Sequence, residues 1–304
     1  MRPGEWCYRL KEILKGSDSF VVPDEPLAQH TSFRIGGKAA LMVVVNKELG
    51  LRKVRQFCTE NRLLVEILGK GTNVLISDQG IPGVVVKLGG EFGLIDVQGD
   101  KIMAGAAASL DDISEIAEAN GLAGAEFLAG IPGTVGGGLV TNAGAYGKSL
   151  SAITLEVTVM DAIGNIRVLR KEELKNQYRQ PVIPGEFWAL RLVLILSKGE
   201  TKPVKAIREE RRSKHPPEPS AGSFFKNPPG IPAGRLIEEC GLKGLRVGDA
   251  CISELHANFI VNKGSARFGD VYELAQIVKA EVEERTGIEL EEEVRFLPVG
   301  PERR

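Results

Sequence analysis

Metal-binding residues are scarce in this sequence and are not clustered. Three histidines and four cysteines occur in 304 residues, and no two cysteines have the C-x-x-C spacing. A zinc site built from cysteine and histidine is therefore not expected, and we predict no metal cofactor. Four scattered cysteines indicate reduced thiols in a cytosolic protein, because disulfides persist mainly in oxidising compartments.

An excess of one charge and long hydrophobic runs are also missing. The 39 Lys and Arg residues nearly balance the 40 Asp and Glu residues, which gives no electrostatic basis for binding nucleic acid or an anionic membrane. No apolar run approaches the roughly 20 residues needed to cross a bilayer. The charged N-terminal segment lacks the apolar region of a signal peptide. We therefore expect a cytoplasmic protein; its oligomeric state stays open, and a monomer is compatible with the sequence.

Glycine, in contrast, is abundant, at 36 residues or about 12% against a usual share of roughly 7%. One glycine-containing stretch, I-L-G-K-G-T-N-V-L-I-S-D (67–78), is typical of a strand, a turn and a second strand. Gly69 and Gly71 would let backbone N–H groups approach phosphate oxygens. The stretch begins like G-x-G-x-x-G, but Val74 and the strand after it do not fit a Rossmann fold. An ordinary glycine hairpin is the alternative.

A second stretch, G-I-P-G-T-V-G-G-G-L-V-T-N-A-G-A-Y-G (130–147), consists mostly of small residues. Such a segment cannot form a hydrophobic core, but it can bring backbone amides against a large ligand. It is not a P-loop, because no G-K-[ST] closes it. Two such loops without metal ligands suggest a diphosphate cofactor, and FAD fits their length. A tightly packed glycine-rich turn is the alternative.

Hydrophobic periodicity predicts an α+β protein with mixed sheets. We expect helices at 5–15, 47–62, 110–121, 202–214, 233–241 and 268–286. Strands are expected at 40–46, 63–68, 74–77, 84–88, 154–160, 187–196, 258–262 and 292–297. The prolines of H-P-P-E-P-S (215–220) follow a charged helix and indicate a domain boundary.

The stretch S-A-G-S-F-F-K-N-P-P-G (220–230) combines turn-forming residues with two phenylalanines. It predicts either a loop folded over a pocket or a packed loop without chemistry. Ser223 also suggests a hydrolase nucleophile, although no G-x-S-x-G motif surrounds it and His256 is the obvious candidate for its base. A lone histidine such as His256 is more often structural. Nothing in the chemistry of Glu291, Glu292 and Glu293 distinguishes one of these acids from the others.

Several motifs together resemble the UDP-N-acetylenolpyruvoylglucosamine reductase (MurB) family, flavoproteins that make UDP-N-acetylmuramate for peptidoglycan. They occur in family order over nearly the whole chain: T-S-F-R-I-G-G (31–37), L-G-K-G-T-N (68–73), G-I-P-G-T-V-G-G (130–137), N-A-G-A-Y-G (142–147), Y-R (178–179), S-A-G-S-F-F-K-N-P (220–228), G-R-L-I-E-E-C-G-L-K-G (234–244), S-E-L-H-A-N-F-I-V-N (253–262) and E-V-R (293–295).

This resemblance implies a fold and a domain division. An FAD-binding unit of the vanillyl-alcohol-oxidase (PCMH) type, with two α+β lobes at about 1–85 and 86–200, would occupy residues 1–200. A smaller substrate-binding domain would occupy 201–304, and its last strand, about 292–298, could return to the FAD unit. The short interval between Arg179 and Ser223 resembles the family branch that lacks an extra tyrosine-bearing loop over the substrate.

The resemblance also implies the site residues. The catalytic residues would be Arg179, Ser223 and Glu293. Non-covalent FAD would be bound by Gly69, Lys70, Gly71, Thr72, Asn73, Gly130, Ile131, Pro132, Gly133, Thr134, Gly136, Gly137, Asn142, Ala143 and Gly144. The substrate, UDP-N-acetylglucosamine enolpyruvate, would be contacted by Tyr178, Lys226, Asn227, His256 and Asn258.

The implied reaction passes a hydride from NADPH to FAD and then to the substrate alkene. Charge then develops next to the substrate carboxylate, where Arg179 and Glu293 would stabilise it. A glutamate helps there only when protonated or bridged to a cation, so we expect a raised pKa for Glu293. Ser223 would supply the final proton. The alternative is another PCMH-type FAD oxidoreductase or oxidase acting on a small alcohol or lactone.

The sequence departs from the family pattern at four positions. The usual Y-R-x-S reads Y-R-Q-P, which puts Pro181 in the serine position, so the local geometry at Arg179 is an open question. The usual L-x-P-E-V reads L-E-E-E-V, with Glu292 in place of proline. Lys70 and Thr72 replace the commoner glycine and serine. None of these changes removes a functional group of Arg179, Ser223 or Glu293.

Overall fold

The computed structural model of the protein describes residues 3–298. The ends of the two predicted domain ranges, residues 1–2 and 299–304, lie outside the described residues, as does the start of the segment considered as a signal peptide. None of the described helices is long and apolar enough to cross a bilayer.

Eight α-helices occur among the described residues. They are α1 (Pro3–Ile13), α2 (Glu48–Glu60), α3 (Leu110–Ala119), α4 (Val135–Thr141), α5 (Leu150–Ile153), α6 (Val204–Lys214), α7 (Ala233–Glu239) and α8 (Phe268–Thr286). The strands of the first 200 residues are β1 (Ser19–Pro26), β2 (Lys38–Val45), β3 (Val65–Ile67), β4 (Val74–Ile76), β5 (Ile81–Leu88), β6 (Ile95–Gln98), β7 (Lys101–Gly105), β8 (Leu122–Ala123), β9 (Gly144–Ala145), β10 (Lys148–Ser149), β11 (Thr154–Met160), β12 (Ile166–Arg170), β13 (Trp188–Ile195) and β14 (Ser197–Lys198). Those that follow are β15 (Ser220–Ser223), β16 (Arg246–Val247), β17 (Ala250–Ile252), β18 (Phe259–Asn262) and β19 (Arg295–Leu297).

The described chain forms two compact units. The first contains the residues up to Asp24, Ala40–Lys70 and Pro82–Glu210. The second contains Glu25–Ala39, Gly71–Ile81 and the described residues from Arg211 onward. Two segments from the first hundred residues thus belong to the unit that holds the C-terminal part of the chain.

The first unit has two hydrophobic cores. The five-stranded antiparallel sheet β12-β11-β13-β7-β6 packs against α3 and α4, with Leu139 and Leu192 among its fully buried side chains. The second core lies between α1, α2 and most of the sheet β1-β2-β5-β3. Helix α2 is amphipathic: Leu51, Val54 and Cys58 recur at helical spacing and are buried.

The second unit is built around the antiparallel sheet β15-β18-β17-β16, with α7 and α8 contributing to its core. Helix α8 buries one face through Val271, Leu274, Ala275, Val278 and Val282. A separate two-stranded parallel sheet joins β4 to β19, with Val74 opposite Arg295. This pairing places the strand after the 69–73 loop beside the strand after Glu293.

The α+β prediction is confirmed, and α8 and β11 have the predicted bounds. The hairpin alternative for 67–78 is wrong, because β3 pairs with β5 and β4 pairs with β19, both in parallel. The loop prediction for 220–230 is wrong for its first four residues, which form β15 against β18. The sequence analysis also missed two short helices, α4 and α5. It missed several strands that are short or carry charged residues: β1, β6, β7, β8, β9, β10, β12, β14, β16 and β17.

Candidate active site

The glycine-rich segment at 130–144 belongs to the first unit and begins with a stretch without regular structure that leads into α4. Gly136 N donates to Ala106 O at 2.8 Å, and Val135 N donates to Ala108 O at 2.9 Å. Thr134 caps α4, since its Oγ1 accepts from Gly137 N at 3.3 Å. These bonds fix the backbone of the segment against residues 106–108.

The other predicted flavin segment reaches this one within the first unit. A Cβ atom built on Gly69 would lie 2.6 Å from Thr134 Oγ1, so any other residue here would displace the side chain that caps α4. Lys87 Nζ donates to Gly69 O at 2.5 Å, and Lys70 Nζ donates to Ser109 Oγ at 3.0 Å. Gly69 and Thr134, two predicted cofactor residues, are therefore in contact.

The remainder of the 69–73 loop belongs to the second unit. Gly71 has a φ of +65°, and a Cβ on it would lie 2.2 Å from the carbonyl oxygen of His30. Within residues 3–298, the N–H groups of Lys70, Gly71, Thr72 and Asn73 donate no hydrogen bond to a protein group. A loop with free N–H groups and no Cβ at its closest approaches has the donors that a diphosphate requires. The residues present thus fit FAD.

Arg179 lies against the flavin segment inside the first unit. Its guanidinium donates to Asn142 O at 3.4 Å and to Gly144 O at 3.3 Å. It also lies over the Tyr178 ring, 5.2 Å from the ring centroid. Arg179 has a φ of +52°, a left-handed backbone conformation that residues other than glycine rarely adopt. Such strain often occurs at functional sites, and here it is found two residues before Pro181.

Asn142 connects three parts of the first unit. Its Nδ2 donates to Gln177 O at 2.9 Å, and its Oδ1 accepts from Ser151 N at 3.1 Å. The carboxamide therefore ties the segment before Tyr178 and Arg179 to the end of α4. Because both ends of the carboxamide have protein partners, Asn142 supports the flavin segment by holding its backbone.

Ser223 and Glu293 lie on neighbouring segments of the second unit. Phe224 O accepts from Glu293 N at 2.8 Å and from Val294 N at 3.4 Å. Asn73 Nδ2 donates to Glu293 O at 3.1 Å. Two predicted catalytic residues and one predicted cofactor residue are thus brought together by hydrogen bonds, although 220 positions separate Asn73 from Glu293 in the sequence.

The two phenylalanines after Ser223 are core residues. Phe224 and Phe225 are each 1% exposed, and their rings pack edge to face at 5.1 Å. Asn258, itself buried, accepts from Phe225 N at 2.9 Å and donates to Phe225 O at 2.8 Å. These two hydrogen bonds fix the backbone two residues beyond Ser223. A direct substrate contact by Asn258 stays a prediction.

The hydrolase alternative finds no base for Ser223. His256 Nδ1 accepts from Asn258 N at 3.2 Å, and the ring packs against Phe259 with the centroids 4.8 Å apart. Burial lowers the pKa of His256, which keeps the imidazole neutral. Within residues 3–298, Ser223 Oγ forms no hydrogen bond with a protein group. A serine without an adjacent base is not an activated nucleophile.

The two polar residues after Phe225 already have protein partners. Lys226 pairs with Glu291 through its side chain, and Lys226 N donates to Glu291 O at 2.8 Å. Asn227 Oδ1 accepts from Ala233 N at 2.9 Å. Their predicted contacts with substrate stay predictions.

Two lysines that the sequence analysis did not single out also contact these segments. They are Lys87, which is bonded to Gly69 O, and Lys279, which is paired with Glu292. No sequence signal marks them, because each acts on a segment distant in sequence. Among the described residues no group of three or more His, Cys, Asp or Glu side chains could hold a metal ion.

The glycine-rich segments and the fold define an FAD-binding protein. Residues 39–170 match the FAD binding domain family; the match runs from within β2 to the end of β12 and includes all of the predicted cofactor residues. Residues 214–297 match a second family, the C-terminal domain of UDP-N-acetylenolpyruvoylglucosamine reductase. That match contains Ser223 and Glu293.

Relatives match over nearly the full length. The UDP-N-acetylenolpyruvoylglucosamine reductase of Caldanaerobacter subterraneus is 42% identical over 95% of this chain and 97% of its own. The reductase 2 of Symbiobacterium thermophilum is 44% identical over 90% of each chain. The crystal structure of the Thermus caldophilus reductase (MurB) has a TM-score of 0.78 at 36% identity, covering 92% of this chain and 99% of that one. The chain belongs to the UDP-N-acetylenolpyruvoylglucosamine reductase family, as the motifs predicted.

Proposed function

We propose that the protein reduces UDP-N-acetylglucosamine enolpyruvate to UDP-N-acetylmuramate, with NADPH as the hydride donor and FAD as the cofactor. Membership of the reductase family over 95% of the chain is the observation that carries this proposal. A flavin oxidase of a small alcohol or lactone is not favoured, because residues 214–297 match a domain named for the reductase. A cytoplasmic location, as the sequence predicts, is part of the proposal.

FAD, when bound, supplies a hydride acceptor for NADPH and a hydride donor for the substrate alkene. Its diphosphate would be held by the free N–H groups of the 70–73 loop and by the backbone of the segment at 130–144. Gly69 and Gly71 keep Cβ atoms out of these close approaches. No side chain in these loops needs to change its protonation state for that binding role.

The residues of this chain would stabilise the charge that develops on the substrate and would supply a proton. When hydride adds to the terminal alkene carbon, negative charge develops on the neighbouring carbon and spreads into the substrate carboxylate. The Arg179 guanidinium and the Glu293 carboxyl would stabilise that charge. The Ser223 hydroxyl would then donate its proton to the carbon. Because no basic partner is bonded to it among residues 3–298, Ser223 Oγ is suited to donating a proton rather than to attacking a carbonyl.

The proposal is tested by the absorption spectrum of the purified protein. We expect flavin bands that bleach on adding NADPH under nitrogen and return on adding UDP-N-acetylglucosamine enolpyruvate. A protein that is colourless and cannot be reconstituted with FAD would contradict the proposal. Rapid reoxidation by oxygen with no response to the UDP-sugar would instead support the oxidase alternative.

The role of Ser223 is tested by Ser223→Ala with Ser220→Ala as the matched control. Both serines lie on β15, and only Ser223 has the proposed catalytic role. Ser223→Ala should reduce flavin with NADPH at the normal rate and slow the substrate step on the order of 10²–10⁴-fold, the usual value of a general acid. Equal slowing of both half-reactions in Ser223→Ala would show that the assignment is wrong.

A further inference from the structure

Lys279 and Glu292 form a shielded ion pair in the second unit. Lys279 Nζ lies 3.1 Å from one carboxylate oxygen of Glu292 and 3.2 Å from the other. The side chains are only 22% and 13% exposed, so solvent screens this pair less than a surface pair. Lys279 is on α8, and Glu292 directly precedes Glu293. The pair therefore links α8 to the residue next to Glu293.

The segment around Glu292 pairs with the segment around Phe225. Phe225 lies opposite Glu292 in an antiparallel bridge. Lys226 N donates to Glu291 O and Glu293 N donates to Phe224 O, both at 2.8 Å. These bonds flank the pair, which makes Phe225 and Glu292 a non-hydrogen-bonded pair whose own N–H and C=O groups point away from each other. The pairing holds both peptide planes that flank Glu292, and the bonds of its side chain to Lys279 add a tether from this segment to α8.

We propose that Lys279 is a positioning residue for Glu293. By holding the Glu292 carboxylate, it adds to the restraint that this pairing places on residue 292 and thereby on the direction in which the Glu293 side chain leaves the chain. The inference rests on the proposed function, in which Glu293 stabilises charge on the substrate. In this chain an ion pair performs the restraint that a proline would supply through its fixed φ.

Proline itself fits at position 292. A proline has no N–H to donate, and in the bridge with Phe225 the Glu292 N–H takes no part in the ladder. The substitution Glu292→Pro should therefore restore the backbone restraint without Lys279. The resemblance motif L-x-P-E-V, which carries proline at this position, agrees with that geometry.

The first test is Lys279→Met, studied by stopped-flow spectroscopy of the FAD-loaded protein. We expect flavin reduction by NADPH to stay within about twofold of the wild type, while reoxidation by UDP-N-acetylglucosamine enolpyruvate slows on the order of 10- to 100-fold. The matched control is Lys263→Met, which breaks a 2.6 Å pair with Glu218 elsewhere in the second unit. The control should change neither half-reaction.

Two double variants separate backbone restraint from charge. Lys279→Met/Glu292→Pro should recover reoxidation to within about threefold of the wild type. Lys279→Met/Glu292→Gln should stay slow. Like the proline variant it leaves no unpaired carboxylate, but glutamine does not fix the φ of residue 292. If Lys279→Met alone does not fold, the difference between the two double variants still decides the question.

The inference is wrong if Lys279→Met slows both half-reactions equally or slows neither. It is also wrong if the proline double variant is no faster than the glutamine double variant. Failure of the proposed function looks different: the wild-type protein itself would bleach with NADPH and not recover with the enolpyruvyl substrate.

Discussion

Gly71 illustrates at the residue scale how backbone geometry limits the flavin loop. It combines a left-handed φ of +65° with a Cβ position 2.2 Å from a backbone carbonyl oxygen. A flexible side chain could move aside, but the oxygen of His30 is a backbone atom. The chain after it is also held in place, because Ser32 N donates to Gly71 O. The sequence predicted a close approach at this glycine, although it gave no indication that the neighbour would be residue 30.

We predict that Gly71→Ala lowers the free energy of unfolding by about 3 kcal/mol or more, through strain and steric overlap together. Gly99→Ala is the matched control, because Gly99 has a φ of +66° and no atom within 4 Å of its Cβ position. The control should cost only about 1 kcal/mol. Urea denaturation with and without FAD measures both. Equal losses for the two variants would mean that the overlap is absorbed without cost.

Asn258 connects the ends of two strands, β15 and β18, that are distant in the sequence. Its carboxamide bonds both backbone polar groups of Phe225, at 2.9 and 2.8 Å, from the loop that leads into β18. Buried backbone groups that lose their partners are costly. The side chain therefore stabilises the end of β15, where Ser223 lies, whether or not it also touches substrate.

We predict that Asn258→Ala lowers the free energy of unfolding by about 2–4 kcal/mol, since two buried backbone groups lose their partners. Asn258→Asp keeps an acceptor for Phe225 N, but its second carboxylate oxygen faces Phe225 O in a buried site, so its loss at neutral pH should be at least as large. Thermal denaturation followed by circular dichroism measures the order. An aspartate variant clearly more stable than the alanine variant at neutral pH would contradict this account.

Long, regular elements were predictable from the sequence, and short pairings were not. Helix α8 and strand β11 have the predicted bounds because apolar residues repeat at the period of each element. Strand β15 was missed because Ser220 and Gly222 favour turns, and its pairing with β18 outweighs that preference. The three consecutive glutamates could not be distinguished, since the lysines that pair with Glu291 and Glu292 lie 65 and 13 positions away.

At the scale of the whole molecule, two half-buried histidines connect folding to pH. Burial lowers the pKa of His215 to about 4, and the charges of Arg211, His256 and Lys214 add to the shift. The pKa of His256 is lowered by burial as well. The folded protein therefore holds the His215 ring neutral in a pH range where the unfolded chain, with a pKa near 6.5, binds a proton.

We predict that the free energy of unfolding falls as pH decreases from about 6.5 to about 4, because the unfolded state takes up the proton first. Allowing for solvent screening of this half-buried ring, His215 should account for about 1–2 kcal/mol of the loss. Urea denaturation at several pH values measures it, and His215→Gln should flatten the curve. Parallel curves for the variant and the wild type would contradict the assignment.

The division into compact units shows what a linear reading of the sequence leaves out. The prolines of 215–220 lie near the change from the first unit to the second, which falls at Glu210 and Arg211. Residues 25–39 and 71–81 nevertheless belong with the C-terminal part of the chain. No local pattern marks these segments, since their partners are distant in the sequence; Asn262, which donates to Phe33 O, lies 229 positions away.

The parallel pair of β4 and β19 has a consequence for biosynthesis. Translation at roughly 5–20 residues per second leaves β4 without its partner for tens of seconds before Arg295 is made. A ribosome that stalls before residue 291 releases a polypeptide that contains the flavin loops yet lacks both Glu293 and the strand that covers Leu75 and Ile76. We expect such a product to be inactive, because it lacks the predicted catalytic residue Glu293, and to be degraded, because it exposes an apolar strand edge to proteases.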